Sequence, residues 1–177
     1  ATASVGYQES TWIERFGGTA RRGTEWRVPV QLSLGLAGGA RIGYTGHLQG
    51  GEHRDATGAA QTSVARHDLR LDAAFAAPRA FRATFPAPIR ASAAWSLRTE
   101  RQCRVPASGE EPCTPYVDRV DRQADVLLET VVSWLNVGVQ IAWEERVSWI
   151  GTRPEHRGVR LRIFGEFNVA AGTFGAR

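Results

Sequence analysis

Methionine and lysine are both absent from the 177 residues, and cysteine occurs only at Cys103 and Cys113. Without lysine, the positive side of the +4 formal charge is all arginine. A GC-rich genome produces that bias as readily as selection does, so basic charge alone does not indicate nucleic acid. No charged n-region, apolar h-region and cleavage site opens the chain, which is therefore expected to be a mature product or a piece of something longer. No apolar run reaches the roughly 18 to 20 residues that a transmembrane helix needs, so a membrane protein with this sequence must cross as strands. Helical three-to-four spacing is equally scarce.

The two cysteines lie in RTERQCRVPASGEEPCTPY, a polar stretch rich in proline and glycine. A local Cys103–Cys113 disulfide in an oxidising compartment is the simplest reading, against two free thiols in a cytosolic loop. Two ligands without a matching pair elsewhere cannot complete a tetrahedral metal shell.

What the chain does have is alternation. From TEWRVPVQLSLGLAG, Trp26, Val28, Val30, Leu32, Leu34 and Leu36 alternate with Arg27, Pro29, Gln31, Ser33 and Gly35. The same period of two recurs in ARIGYTGHLQG, HDLRLDAAF and the stretch from Ile89 to Arg98. It continues from Val120 to Trp134, from Val139 toward Trp149, and in VRLRIFGEFNV, where Val159, Leu161, Ile163, Phe167 and Val169 oppose Arg160, Arg162, Glu166 and Asn168. The opening segment alternates at Ala3, Val5 and Tyr7, after which the phase slips toward Trp12. These patterns predict about eight strands, mostly of about 10 residues, long enough to cross a bilayer when tilted. Turns are expected at Ala37 to Ala40, Pro78 to Pro88 and Leu135 to Gly138. Longer or more polar loops are expected at Gly50 to Ala65, Thr99 to Pro115 and Gly151 to Gly158. Short turns at one end and longer loops at the other describe an outer-membrane barrel with both termini on the short-turn side.

Alternation alone does not say which apolar medium the clean rows face. A soluble lipocalin-like barrel binding an apolar ligand would pack them inward, whereas a membrane barrel turns them to lipid. Strand length beyond the usual five or six residues favours lipid, as do aromatics near row ends at Trp26, Trp95, Trp134 and Trp149. Small residues such as Ala73, Ala91, Ala93, Gly46 and Gly165 make a poor jigsaw core but tolerate fluid lipid. The fold expected is an all-β, antiparallel up-and-down transmembrane β-barrel, a single domain or barrel segment spanning residues 1–177. A lumen-facing row of Arg27, Arg41, Arg70, Asp72, Arg90, Asp125, Glu129, Glu144, Arg160, Arg162 and Glu166 follows. Its mixed signs favour mutual neutralisation over an anion-selective surface.

Chemistry-bearing motifs are few. His47, His53, His67 and His156 lack metal-ligand spacing and read as exposed or lumen-facing. No G-x-S-x-G elbow accompanies them, so an enzyme is not expected. The glycines of GLAGGARIG lack dinucleotide-loop order, and the aromatics mainly sit opposite the arginines, unlike a nucleic-acid platform. No cofactor is implied. The expected partners are membrane lipid and possible neighbouring barrel strands.

The run from LRLDAAF to FGEFNVAAG, within Leu69 to Phe174, resembles the last strands of SprA-type cell-surface proteins. The shared traits are a strand ending in a proline-containing turn, a strand entering a loop with paired cysteines, and the final FGEFNVAAG-like strand. The resemblance implies a place in the outer membrane, secretion-system subunits as partners, and a role in protein translocation. Those barrels are several times longer than this chain, so it would be the C-terminal part of such a wall. Otherwise it is a small self-contained barrel with a structural or small-solute role.

Overall fold

A computed structural model of the chain describes residues 1–16, 19–107, 112–133, 135–150 and 156–167. Its strands are β1 (Thr2–Val5), β2 (Gln8–Phe16), β3 (Thr19–Gly35), β4 (Arg41–Asp55), β5 (Gly58–Phe75), β6 (Ile89–Pro106), β7 (Thr114–Val132), β8 (Leu135–Ser148) and β9 (His156–Phe167). They form one antiparallel sheet in which each strand from β3 to β9 pairs with its neighbours in sequence, and β1 and β2 both lie along β3. This is the all-β up-and-down architecture expected. Among the described residues no helix is long and apolar enough to cross a membrane, which says nothing about strands.

The opening segment holds one register throughout. Thr2 to Val5 face Ser33 to Val30, and Gln8 to Phe16 face Arg27 to Thr19. Pro29 marks the interruption between them. It has no N–H to give to the ladder, although its carbonyl still accepts from the Gly6 N–H at 3.0 Å. The phase slip expected near Trp12 is therefore absent from the backbone: Trp12 pairs with Gly23 on the face opposite Tyr7.

Several expected loops are strand. Gly50 to Ala65 belongs almost wholly to β4 and β5, which stay paired until Asp55 faces Gly58 across Ala56 and Thr57. Polar residues on both faces suggested a loop, but a ladder needs only backbone partners. Polarity on both sides means water on both sides. Likewise β6 runs to Pro106 and β7 begins at Thr114, inside the stretch Thr99 to Pro115. The turn expected at Leu135 to Gly138 lies earlier, because Val132 already faces Leu135 and Ser133 takes a positive φ of 59°. In the last expected loop, positions 151–155 lie outside the described residues, while His156 to Gly158 are strand. The Ala37–Gly39 turn occurs as expected, with Gly38 at φ 79° and Gly39 at φ 83° supplying conformations that side chains disfavour.

The two ends of the sheet thus differ in strand overhang. At one end the β4–β5 and β6–β7 hairpins project beyond the apolar rows, the former by about 17 Å for five strand residues. At the other end, connections run through residues 36–40, 76–88 and 133–134. β1 begins, and the described part of β9 finishes, at this second end.

The sheet is a single layer. Among the described residues, the buried hydrophobics are Ala59, Ala77 and Cys103, and Thr130 is the buried polar residue. Leu161 and Ile163 are 64% and 75% exposed. No packed core of the kind a lipocalin-like barrel requires is formed among the described residues. No pairing joins β1 or β2 to β9, so the described sheet is open.

Candidate functional site

Register sorts the side chains onto two faces. One rung across the sheet reads Ala3, Leu32, Tyr44, Leu69, Trp95, Ala124, Trp143 and Val159. The adjacent rung on the opposite face reads Thr2, Ser33, Gly43, Arg70, Ala94, Asp125, Ala142 and Arg160. Each of these charges sits beside a small residue, over which a long side chain can lie. A wrong register by one residue would exchange the two faces.

The charged residues singled out in the sequence all fall on the polar face. Arg70 Nε donates to Asp72 at 2.9 Å, and Asp72 is also the cross-strand partner of Arg41. Arg90 lies 3.9 Å from Glu129, Arg162 lies 3.9 Å from Glu166, and Arg27 lies 3.5 Å from Glu25. Gln140 donates to Asp125 at 2.7 Å. Glu144 takes Arg160 at 3.2 Å and His156 at 3.0 Å.

The most extended network was missed because two of its members, Glu100 and Arg119, sit where strand was expected to give way to loop, although Arg98, Asp121 and Arg146 lie in expected strands. Arg98 and Arg119 bind Glu100 at 3.1 and 2.9 Å, and Arg119 and Arg146 flank Asp121 at 3.2 and 2.7 Å. The Arg119 Nε approaches Asp121 at an angle that makes no hydrogen bond, so the attraction there is of charge alone. Little in the sequence signalled it, because Arg101 between Glu100 and Gln102 is charged as well and the alternation stops at Thr99. An open polar cleft of about 520 Å³ lies over Arg98, Asp121, Gln123, Glu144 and Arg146. Interleaved charges of both signs can hold water and pair with one another. Among the described residues no group of His, Cys, Asp and Glu could hold a metal.

On the apolar face, Trp26 ends its row and Trp95 shares a rung with Trp143. Trp149 lies past the end of β8, its backbone N–H donating to the Asp118 carbonyl at 3.0 Å. Trp134 lies outside the described residues. Of the histidines read as exposed or lumen-facing, His67 lies on the apolar side, half-buried and facing Gly46. Tyr44 folds back over Gly46, and its hydroxyl lies 2.7 Å from His67 Nδ1, so the imidazole's near nitrogen has a partner. Cys103 and Cys113 form the expected disulfide, which ties β6 to the start of β7.

A sheet of long antiparallel strands with one apolar and one charged face, uncovered on both, has the architecture of an outer-membrane β-barrel wall. Comparison with solved structures agrees: the chain is similar to the alcaligin outer membrane receptor FauA from Bordetella pertussis, with a TM-score of 0.55 and 16% identity. The match covers 92% of this chain and 28% of that receptor, so the chain spans little more than a quarter of the receptor's length. No family model matches the sequence, and no curated protein is similar to it at a significant level.

Proposed function

We propose that the chain is a section of outer-membrane barrel wall, with its apolar face against lipid and its polar face lining a lumen. One observation carries the reading: an apolar face that no described element covers, with uncharged rungs running from Leu32 through Tyr44, Leu69 and Trp95 to Val159 and from Leu34 through Leu71 and Val126 to Leu161. It is bordered on β7 to β9 by the paired charges of Arg122, Glu145 and Arg157 in the next rung. Water would penalise that face at about 25 cal/mol for each Å², whereas lipid does not. The open edges of β1–β2 and β9 add a requirement, since unpaired backbone groups are too costly to leave in hydrocarbon. The edges therefore pair with further strands or with each other.

In this reading the partners are membrane lipid and other barrel strands, the location is the outer membrane, and the role is passage or anchorage without catalysis, cofactor or nucleic acid. The narrower form is a SprA-like protein-translocating wall with secretion-system subunits as partners, supported by the sequence resemblance of the C-terminal strands. The likeness to a receptor wall supports only the broader form. Cysteine placed at Ser96, on the polar face, distinguishes the two forms: crosslinking to an exported polypeptide in cells supports translocation, and labelling by small solutes alone does not.

The broader reading is tested by detergent dependence and gel migration. The full chain should need detergent or lipid to stay dispersed, and its migration should change on heating if it closes on itself. A monodisperse protein in plain buffer sinks the membrane reading.

A further inference from the structure

We infer that the apolar face carries, at its hairpin end, a binding site for the phosphorylated headgroup of a membrane lipid, built from Arg22 and Arg101 beside the Arg54–Glu52 pair. The inference rests on the membrane reading above and adds a specific ligand chemistry to it. These arginines line one open cleft of about 730 Å³, with Trp26 on its membrane side. Trp26 is the last aromatic of its apolar row, so the cleft begins where hydrocarbon would give way to headgroups.

The charge arrangement calls for an anion. Arg22 and Arg54 are direct cross-strand partners, and like charges so placed repel. The other neighbour of Arg22 is Ile13, and that of Arg54 is Ala59. Glu52 is the acid lining the cleft, and its carboxylate already accepts from Arg54 and from Gln61. Arg22 and Arg101 form no ion pair with a described residue. Asp118 faces Arg101 across the ladder without coming within ion-pair distance. Two guanidiniums thus remain to bind phosphate oxygens, for which their planar fork is suited. A headgroup held there keeps its acyl chains beside Trp26 and the apolar rows, which favours a lipid over a free anion.

The test uses the full chain inserted into phosphatidylcholine vesicles with and without phosphatidic acid, whose headgroup is a phosphomonoester. The protein should unfold at a higher Tm with phosphatidic acid and retain that lipid through detergent extraction. Arg22→Gln and Arg101→Gln should each lower retention about fivefold. Their Tm in pure phosphatidylcholine should be unchanged or higher, which shows that they fold. Arg41→Gln, at the opposite end of the sheet, should retain phosphatidic acid as the parent does. Equal retention in parent and cleft variants overturns the site while leaving the membrane reading intact. Competition by inorganic phosphate at matched ionic strength assigns the cleft to free anions and also overturns it. A chain that does not enter vesicles sinks the membrane reading and this site with it.

Discussion

Trp26 and Gly50 face each other across β3 and β4, and a Cβ at position 50 would sit 2.5 Å from Trp26 Cζ2. The same arrangement recurs at Trp12 over Gly23 and Phe164 over Gly138 on the polar face. Glycine here provides the floor on which a ring lies, and the ring shields backbone that the glycine leaves bare. Gly50→Val should displace the indole and cost about 1 to 3 kcal/mol of stability in micelles. Gly43→Ala, where a Cβ meets nothing within 4 Å, should change the midpoint little. Thermal unfolding of the two variants side by side checks the contrast. Asp55 poses a second question at this scale. The Thr57 hydroxyl, then the Thr57 N–H, and then the charges of Arg104 and Arg21 hold its carboxyl below the ordinary range. A depressed pKa means that the stabilisation is complete above the unfolded value of about 3.9. It is lost as pH falls through the lower folded value. The protection factor of the Thr57 amide, its exchange relative to the intrinsic rate at each pH, should therefore fall in that acid window, and Asp55→Ala should show the lower protection already at neutral pH.

Among the elements, β6 and β7 show best what alternation reveals and what it hides. From Ile89 to Arg98 the alternation is regular, and the strand was legible. Beyond Thr99 both faces turn polar, and the pattern that distinguishes strand from loop disappears although the ladder continues to Pro106. Glu100 sits in this stretch with Arg119 opposite it, which is why the sequence left out their links to Arg98 and Asp121. The Cys103–Cys113 bond closes the end of the same hairpin. Breaking it with Cys103→Ser and Cys113→Ser should cost about 2 to 3 kcal/mol by loop-closure entropy. The loss should concentrate in the β6–β7 overhang, with amide protection there falling while the apolar rungs below keep theirs.

For the molecule as a whole, the two faces make opposite predictions for one substitution. Leu69 lies on the apolar rung between Tyr44 and Trp95, and Ser96 lies on the polar face between Asp68 and Gln123. Leu69→Arg should cost about 2 to 4 kcal/mol if that rung sits near the bilayer midplane and should lower the yield of vesicle-inserted protein. Ser96→Arg should insert like the parent. Equal insertion by both variants would remove the case for a lipid-facing rung.

The sequence by itself determined the period of two and the parity of each row. It also placed the cysteine pair close enough to bridge and, through Gly38 and Gly39, the turn after β3. These are local properties, set by side-chain chemistry along one strand and readable without a partner. Tertiary structure decided what depends on pairing between strands. Register brought Arg22 opposite Arg54 and put His67 beneath Tyr44. It also carried one phase through Pro29 and kept polar stretches such as Thr99 to Gln102 in strand. Backbone hydrogen bonds are the same for every sequence, so a ladder can extend through residues whose side chains give no sign of it.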